Sequence, residues 1–320
     1  MPAVLDSDGI SVRKTNGPAM TAEAPRWHEP VMVNEVLEYL NPHPGQVVVD
    51  CTVGTAGHSL LIVSKLLPDG RLVIIDRDEQ SLVRASERLI EFSSMVTAVH
   101  DNYRNLPAVL LACGLQRVDG VLLDLGMSSP QVDQPGRGFS FLKEGPLDMR
   151  MDQTQALTAE GWINSAAESE IADALFNCAE ERFSRRIASN IARERKLNAI
   201  TTTKQLADLV VRSYPASARH GRIHPATRTF QALRMIVNDE LGGLEEVLQS
   251  LHAALNPGGR AVVITFHSLE DRMVKQAFRR GSDEGIWKLL KKKVVKPSDE
   301  ECARNSRARS AKLRAVERLG

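Results

Sequence analysis

Two kinds of apolar pattern alternate along this chain. The first consists of short unbroken runs: Val47-Val48-Val49-Asp50, Arg71-Leu72-Val73-Ile74-Ile75-Asp76, Met95 to Val99, Val118-Asp119-Gly120-Val121-Leu122-Leu123-Asp124 and Gly259 to Phe266. Runs rich in β-branched residues, without polar alternation, predict strands buried on both faces, as inside a parallel sheet. The second kind has helical spacing: Val33, Val36, Leu37 and Leu40, then Leu82, Ala85 and Leu89, and later the stretch 244–255. Strands alternating with helices predict an α/β fold built on a parallel, doubly wound sheet.

The interval between the fourth and fifth runs is too long for one crossover, so an insertion is expected there. Between about Gly138 and Arg222 it reads as helical, with Ile171, Leu175, Phe183, Ile187 and Ile191 near helical spacing and a helix start at Thr201 to Leu206. That apolar stripe reads as core. The expected organisation is a mobile N-terminal extension over residues 1–27, a sheet domain over 28–137 and 223–320, and an inserted helical domain for substrate recognition over 138–222.

Composition changes this picture little. With 42% hydrophobic and 25% charged residues in 320, the chain has the make-up of a globular protein large enough for a core plus an insertion. Cys51, Cys113, Cys178 and Cys302 lie far apart without a C-x-x-C pair, which fits reduced thiols better than a disulfide frame or a zinc site. His220 and His224 have no third ligand nearby, so no metal is assigned. No signal-type segment is visible, and no apolar run approaches the ~18 residues of a membrane helix. A soluble, cytoplasmic protein without a membrane partner is expected. The oligomeric state is left open by the sequence, a homodimer included.

Charge distribution says more than the net charge of +1. Leu209 through Asn238 contain no acid but hold Arg212, Arg219, Arg222, Arg228 and Arg234. From Lys288 to Arg318 there are eleven Lys/Arg against four Asp/Glu. Two basic segments in a near-neutral chain are the electrostatic footprint expected for a nucleic-acid backbone.

The chemistry concentrates at the ends of the predicted strands. After Asp50 comes Cys51-Thr52-Val53-Gly54-Thr55-Ala56-Gly57-His58, a loop of small residues leading into a helix. Its glycines permit tight turning and close ligand approach, and the helix start supplies free amides. The dinucleotide fingerprint G-x-G-x-x-G is not matched. An acid on the first strand together with Asp76 ending the second, where a ribose hydroxyl would lie, is instead the pattern of S-adenosylmethionine (SAM) enzymes.

Asp124-Leu125-Gly126-Met127-Ser128-Ser129-Pro130-Gln131 follows the fourth strand, at the sheet edge that presents substrate. SAM enzymes that methylate exocyclic base amines carry a similar short polar-Pro loop here. The lone pair of cytosine N4 is delocalised into the ring, so acceptors that draw its hydrogens out of plane help localise the pair toward the methyl sulfonium. Asp124 and Ser129 are the catalytic candidates. A flipped base needs a stacking partner, for which Phe139 or Phe141 is the expected choice.

The ordered set of motifs resembles the bacterial 16S rRNA (cytosine-N4-)-methyltransferase family (RsmH, formerly MraW). It runs through His28-Glu29-Pro30-Val31, Asp50 to His58, Ile75-Asp76-Arg77-Asp78, Leu122 to Gly126, Ser128 to Gln131, Arg137 to Phe141, Gly145 to Asp152, Glu180 to Phe183, His224 to Ala232, Phe266 to Arg272 and Arg307 to Ser310. The resemblance implies a Rossmann-like class I SAM-dependent methyltransferase sheet with a large helical insertion between strands four and five. It also implies N4 methylation of a decoding-centre cytidine in 16S rRNA within the small ribosomal subunit. Carried over by position, cofactor contacts fall on Gly54, Ala56, Gly57, His58, Asp76, Tyr103, Asp124 and Gln131. One departure is Ala56, where the family has glycine; the loop amide is expected to survive the change.

His267-Ser268-Leu269-Glu270-Asp271-Arg272 reads equally as a helix cap with an acidic first turn or as a contact to RNA. Two other functions fit the fold: a base-amine methyltransferase acting on DNA, and a non-catalytic ribosome assembly factor. The first predicts a second proline and an aromatic in the Ser-Ser-Pro loop, both lacking here. The second predicts loss of Asp50, Gly54, Gly57, Asp76 and Asp124, all present.

Overall fold

The computed structural model describes residues 29–320, apart from Arg222 and the side chain of Ser129. The expected N-terminal extension and His28 lie outside the described residues.

In chain order the elements are α1 (Val33–Leu40), β1 (Val47–Asp50), α2 (Gly57–Leu66), β2 (Arg71–Asp76), α3 (Glu79–Arg88), β3 (Val96–His100), α4 (Leu106–Ala112), β4 (Val118–Asp124) and α5 (Ser129–Asp133). There follow α6 (Ala159–Ser165), α7 (Glu168–Ala179), α8 (Ser184–Glu194), α9 (Thr203–Ser213), α10 (Ala226–Val237), α11 (Glu240–Ala254), β5 (Leu255–Thr265), α12 (Ser268–Asp283), β6 (Trp287–Leu289), α13 (Asp299–Arg304) and β7 (Lys312–Arg318).

The sheet order is β3-β2-β1-β4-β5-β7-β6. The five expected strands pair in parallel, and β7 runs antiparallel between β5 and β6. Neither of the last two strands was expected. β6 has only three residues, and the charges of Lys312-Leu313-Arg314-Ala315-Val316-Glu317-Arg318 hide an inward set of Leu313, Ala315 and Val316.

Successive residues of each inner strand face opposite layers, which is why the runs are apolar throughout. Val49, Val73, Ile75, Val121, Leu123 and Val263 pack under α4, α11 and α12. Val48, Leu72, Ile74, Leu122, Val262 and Ile264 pack under α1, α2 and α3. Truncating the fully buried Leu122 to Ala would cost about 2–5 kcal/mol. The strand order turns back between β1 and β4, leaving a crevice at their carboxyl ends.

The helices between β4 and α11 bury a core of their own, including Phe139, Leu147, Ile171, Ile187, Leu206, Phe230 and Leu233. That core continues to Val237, past the boundary expected at residue 222, because α10 turns Ala226, Phe230, Leu233 and Val237 into it. Among the described residues no helix is long and apolar enough to cross a membrane.

Candidate functional site

One cavity of about 370 Å³ opens at the β1/β4 crevice. Its wall takes residues from the loop after β1, the end of β2, the loop after β4, the start of α11, the end of β5 and the turn before β7. Gly54, Gly57, His58, Asp76, Tyr103, Asp124 and Gln131 all line it.

The loop after β1 is held from beneath. Asp50 accepts from Thr52 N at 3.1 Å and from Ser59 Oγ at 2.6 Å, tying strand end, loop and helix start together. Burial pushes the Asp50 carboxyl up, against the Ser59 hydrogen bond and nearby His58. Gly54 adopts φ 51°, which turns its N–H onto Asp76 Oδ2 at 2.9 Å. Gly57 is required by contact: a Cβ there would lie 3.0 Å from Pro30 Cβ and Cγ. The Gly57 and His58 amides open α2 and have no acceptor within the helix.

Asp76 also accepts from Asp78 N at 2.9 Å, and burial pushes its carboxyl up to about 6 despite these two amides. Asp78 is a buried hub. It caps α3 through Gln80 N, and its Oδ2 receives Gln131 Nε2 at 2.8 Å and Arg137 Nη1 at 2.9 Å. Gln131 Oε1 in turn accepts from Ser128 N at 3.1 Å. Both ends of the Gln131 amide are thus committed, so it shapes the loop after β4.

Asp124 N donates to Thr52 Oγ1 at 2.7 Å, fixing the end of β4 against the β1 loop. The carboxylate Oδ2 lies 3.5 Å from His58 Nδ1, whereas Oδ1 is buried without a hydrogen-bond partner. Burial pushes this carboxyl up to about 6, with His58 opposing and Asp50 and Glu270 adding. A buried acceptor left open beside a cavity is a poised contact for a ligand donor.

The far wall is built on a buried ion pair. Arg234 grips Glu240 through two hydrogen bonds, 2.7 and 2.8 Å, and both are buried. Tyr103 O–H donates to Glu240 O at 3.2 Å, which fixes its ring on the cavity wall. His267 caps α12, its Nδ1 accepting from Glu270 N, while its Nε2 lies 2.9 Å from Glu270 Oε1. Burial alone would raise the Glu270 carboxyl, but His267, the Phe266 amide and Arg234 hold it below its ordinary value. Glu240, His267 and Glu270 bring ligand-type atoms within 4.8 Å. A divalent ion there would compete with the Arg234 guanidinium for both Glu240 oxygens. The helix-cap reading of His267 is therefore the observed one, and Glu270 at the capping-box position was its sequence signal. No local pattern marked Arg234 as half of an ion pair, because its partner sits six residues away across a helix break.

Three expectations are corrected. Ala56, left-handed at φ 59°, donates its N–H to Val53 O at 2.7 Å and lies off the cavity wall, so its amide is spent inside the turn. Phe139 is buried in the helical core, and Phe141 stacks on His224 and meets Phe230 edge-on; neither lines the cavity. Many basic residues read as a phosphate footprint have partners within the fold. Arg234 holds Glu240, Lys288 holds Glu317, Lys312 and Arg314 hold Asp271, and Arg304 holds Glu29. Arg228 donates to Glu180 O, and Arg318 to Leu255 O. Arg222 lies outside the described residues, as does the Ser129 side chain, whose backbone opens α5.

The MraW methylase family matches residues 26–319. A ribosomal RNA small subunit methyltransferase H from Geobacter sulfurreducens is 48% identical over 307 residues, covering 91% of this chain and 99% of the relative. The Brevibacillus brevis protein of the same name is 46% identical over 307 residues, covering 91% and 98%.

Proposed function

This chain belongs to the MraW methylase family, and from that membership we propose that it methylates the N4 amine of a decoding-centre cytidine in 16S rRNA, using SAM, on the small ribosomal subunit. The observation that carries this reading is the open Oδ1 of Asp124, buried at a cavity whose other side offers helix-start amides and the Asp76 carboxylate.

The residues present fit the cofactor. A cavity of about 370 Å³ is in the range that encloses a ligand of that size. The Gly57 and His58 amides at the start of α2 would hold a carboxylate. Asp76 keeps lone pairs for ribose hydroxyls, and the Tyr103 ring offers a face to adenine. Bound there, the cofactor supplies an electrophilic methyl on sulfonium. Asp124 accepts a hydrogen of the target amine and orients its lone pair. Positioning of this kind is worth roughly 7–11 kcal/mol of the barrier. The amine becomes acidic as it is alkylated, so no strong base is needed beforehand. We assign recognition of the rRNA around the target to the helical unit beside the cavity.

The test is transfer of labelled methyl from SAM to isolated, unmodified small subunits, with mass-spectrometric mapping of the product. Label on a single 16S cytidine N4, absent with Asp124→Ala, is the expected result. Label on another base or another atom, or none at all, would overturn the assignment.

A further inference from the structure

We infer that Phe266 is the platform on which the target cytosine stacks. The inference deepens the function proposed above and rests on it for the identity of the base.

β4 and β5 lie across β1 from β2, whose end carries Asp76, so the acceptor of the methyl enters on that side. Phe139 and Phe141 are occupied in the helical core. Phe266, the first residue after β5, lines the cavity and is only partly buried.

Strand register puts its ring beside the reacting group. Asp124 pairs with Ile264, and Leu125 N donates to Ile264 O at 3.0 Å. Two residues on, Gly126 and Phe266 therefore meet: a Cβ on Gly126 would lie 3.2 Å from Phe266 Cδ2. Gly126 has φ 125°, so a side chain there would be both strained and pressed into the ring. The glycine lets one side of the ring lie against backbone.

The platform is also anchored. Phe266 N donates to Glu270 Oε2 at 2.9 Å, and Glu270, 3% exposed, is itself held by His267. A buried carboxylate thus fixes the backbone from which the ring projects, two strand positions from Ile264, the β5 partner of Asp124. A cytosine stacked on that ring can point its exocyclic amine at the open Oδ1. An aromatic face accepts any base by stacking, so Phe266 holds the ring while Asp124 selects the amine.

Two measurements on the full chain test this. In the first, cytidine is titrated into protein loaded with adenosylhomocysteine, and the cytidine H5 and H6 resonances are followed. Upfield ring-current shifts with wild type and Phe266→Tyr, lost in Phe266→Leu, are expected; equal shifts in Phe266→Leu would overturn the inference. In the second, kcat and KM for small subunits are measured beside the Kd for adenosylhomocysteine. Phe266→Leu should lose roughly 5- to 150-fold in kcat/KM with cofactor Kd within twofold, and Phe266→Tyr should recover most of the loss. Unchanged kcat/KM, or parallel loss of cofactor binding, would show a packing role instead and sink the proposal. Ring-current shifts from a wild-type chain that methylates no subunit would uphold the stacking and reject the function.

Discussion

His58 presents Nδ1 to Asp124 Oδ2 at 3.5 Å while its Nε2 lies 2.8 Å from the Val31 carbonyl oxygen. A carbonyl only accepts, so Nε2 carries a proton and Nδ1 would otherwise aim a lone pair at a carboxylate. The Asp124 carboxyl, pushed up by burial to about 6, carries a proton below that pH and removes the repulsion.

Ionised Asp124 is the form that accepts from the target amine. With its carboxyl at about 6, kcat/KM should rise with a slope of one as pH increases through about 6. Asp124→Asn should remove this limb and lower kcat roughly 10²–10³-fold, the usual effect of losing one preorganised polar contact. A wild-type profile flat from pH 5 to 8 would detach Asp124 from the amine.

The same shift makes a stability prediction. Asp124 is raised from 3.8 to about 6 on folding, so the folded chain binds its proton more tightly than the unfolded chain. Its contribution is fully present below about pH 4 and is lost as pH rises through about 6. Asp124→Asn escapes that loss. Without cofactor its Tm should match wild type near pH 4 and exceed it by several degrees at pH 8, where wild type keeps a buried charge. A Tm difference constant across pH, measured by calorimetry, would refute it.

Gly57→Ala addresses the contact between loop and N-terminal segment. The new methyl would meet Pro30 at 3.0 Å, and Pro30 adjoins Val31, whose carbonyl fixes His58. Overpacking of this kind costs about 1–3 kcal/mol. Adenosylhomocysteine affinity should fall with it, because the displaced residues border the cavity. Denaturant titration and calorimetry would reveal whether only one of the two changes.

How much could be read from the chain follows from locality. β1, β2 and β4 are legible because both faces are buried and each holds an unbroken apolar run, Val47 to Val49, Leu72 to Ile75 and Val121 to Leu123. The cofactor side of the site is legible for the same reason, since Gly54, Asp76 and Asp124 sit at strand ends that pattern alone locates. β7 was hidden because its charged positions pair with other elements, Lys312 and Arg314 with Asp271 and Glu317 with Arg260 and Lys288, and such pairing leaves no periodic trace. Phe266 was passed over because its value lies in register with Gly126, a relation between strands and not along one. Ala56 misled because a left-handed residue that closes a turn looks, in sequence, like one that offers its amide.

Arg234 and Glu240 separate structure from RNA contact. Both are buried and joined twice, so removing one strands the other. Arg234→Met should cost about 3–5 kcal/mol, and the double change Arg234→Met with Glu240→Leu should cost less than the sum. The salt dependence of subunit binding should stay as in wild type, at a temperature where the variant is folded. A reduced salt slope would return Arg234 to the nucleic-acid surface.

Arg307 is the opposite case. It is exposed on the cavity rim, and its side chain has no partner among the described residues. Its neighbours hold it there: Asn305 Oδ1 accepts from Arg307 N at 3.2 Å, Asn305 Nδ2 donates to Glu29 O at 3.2 Å, and Arg304 pairs with Glu29 at 2.6 Å. An unpaired guanidinium carried on an anchored backbone at the mouth of a base pocket suits the phosphate beside an extruded nucleotide. Arg307→Gln should therefore lower the slope of log K against log salt by about 0.7–0.9, one phosphate contact, and weaken subunit binding at low salt. Adenosylhomocysteine affinity should not change, since the charge sits at the opening. Filter binding of subunits across a salt series would decide it: parallel lines for wild type and Arg307→Gln would mean that this arginine never meets the backbone.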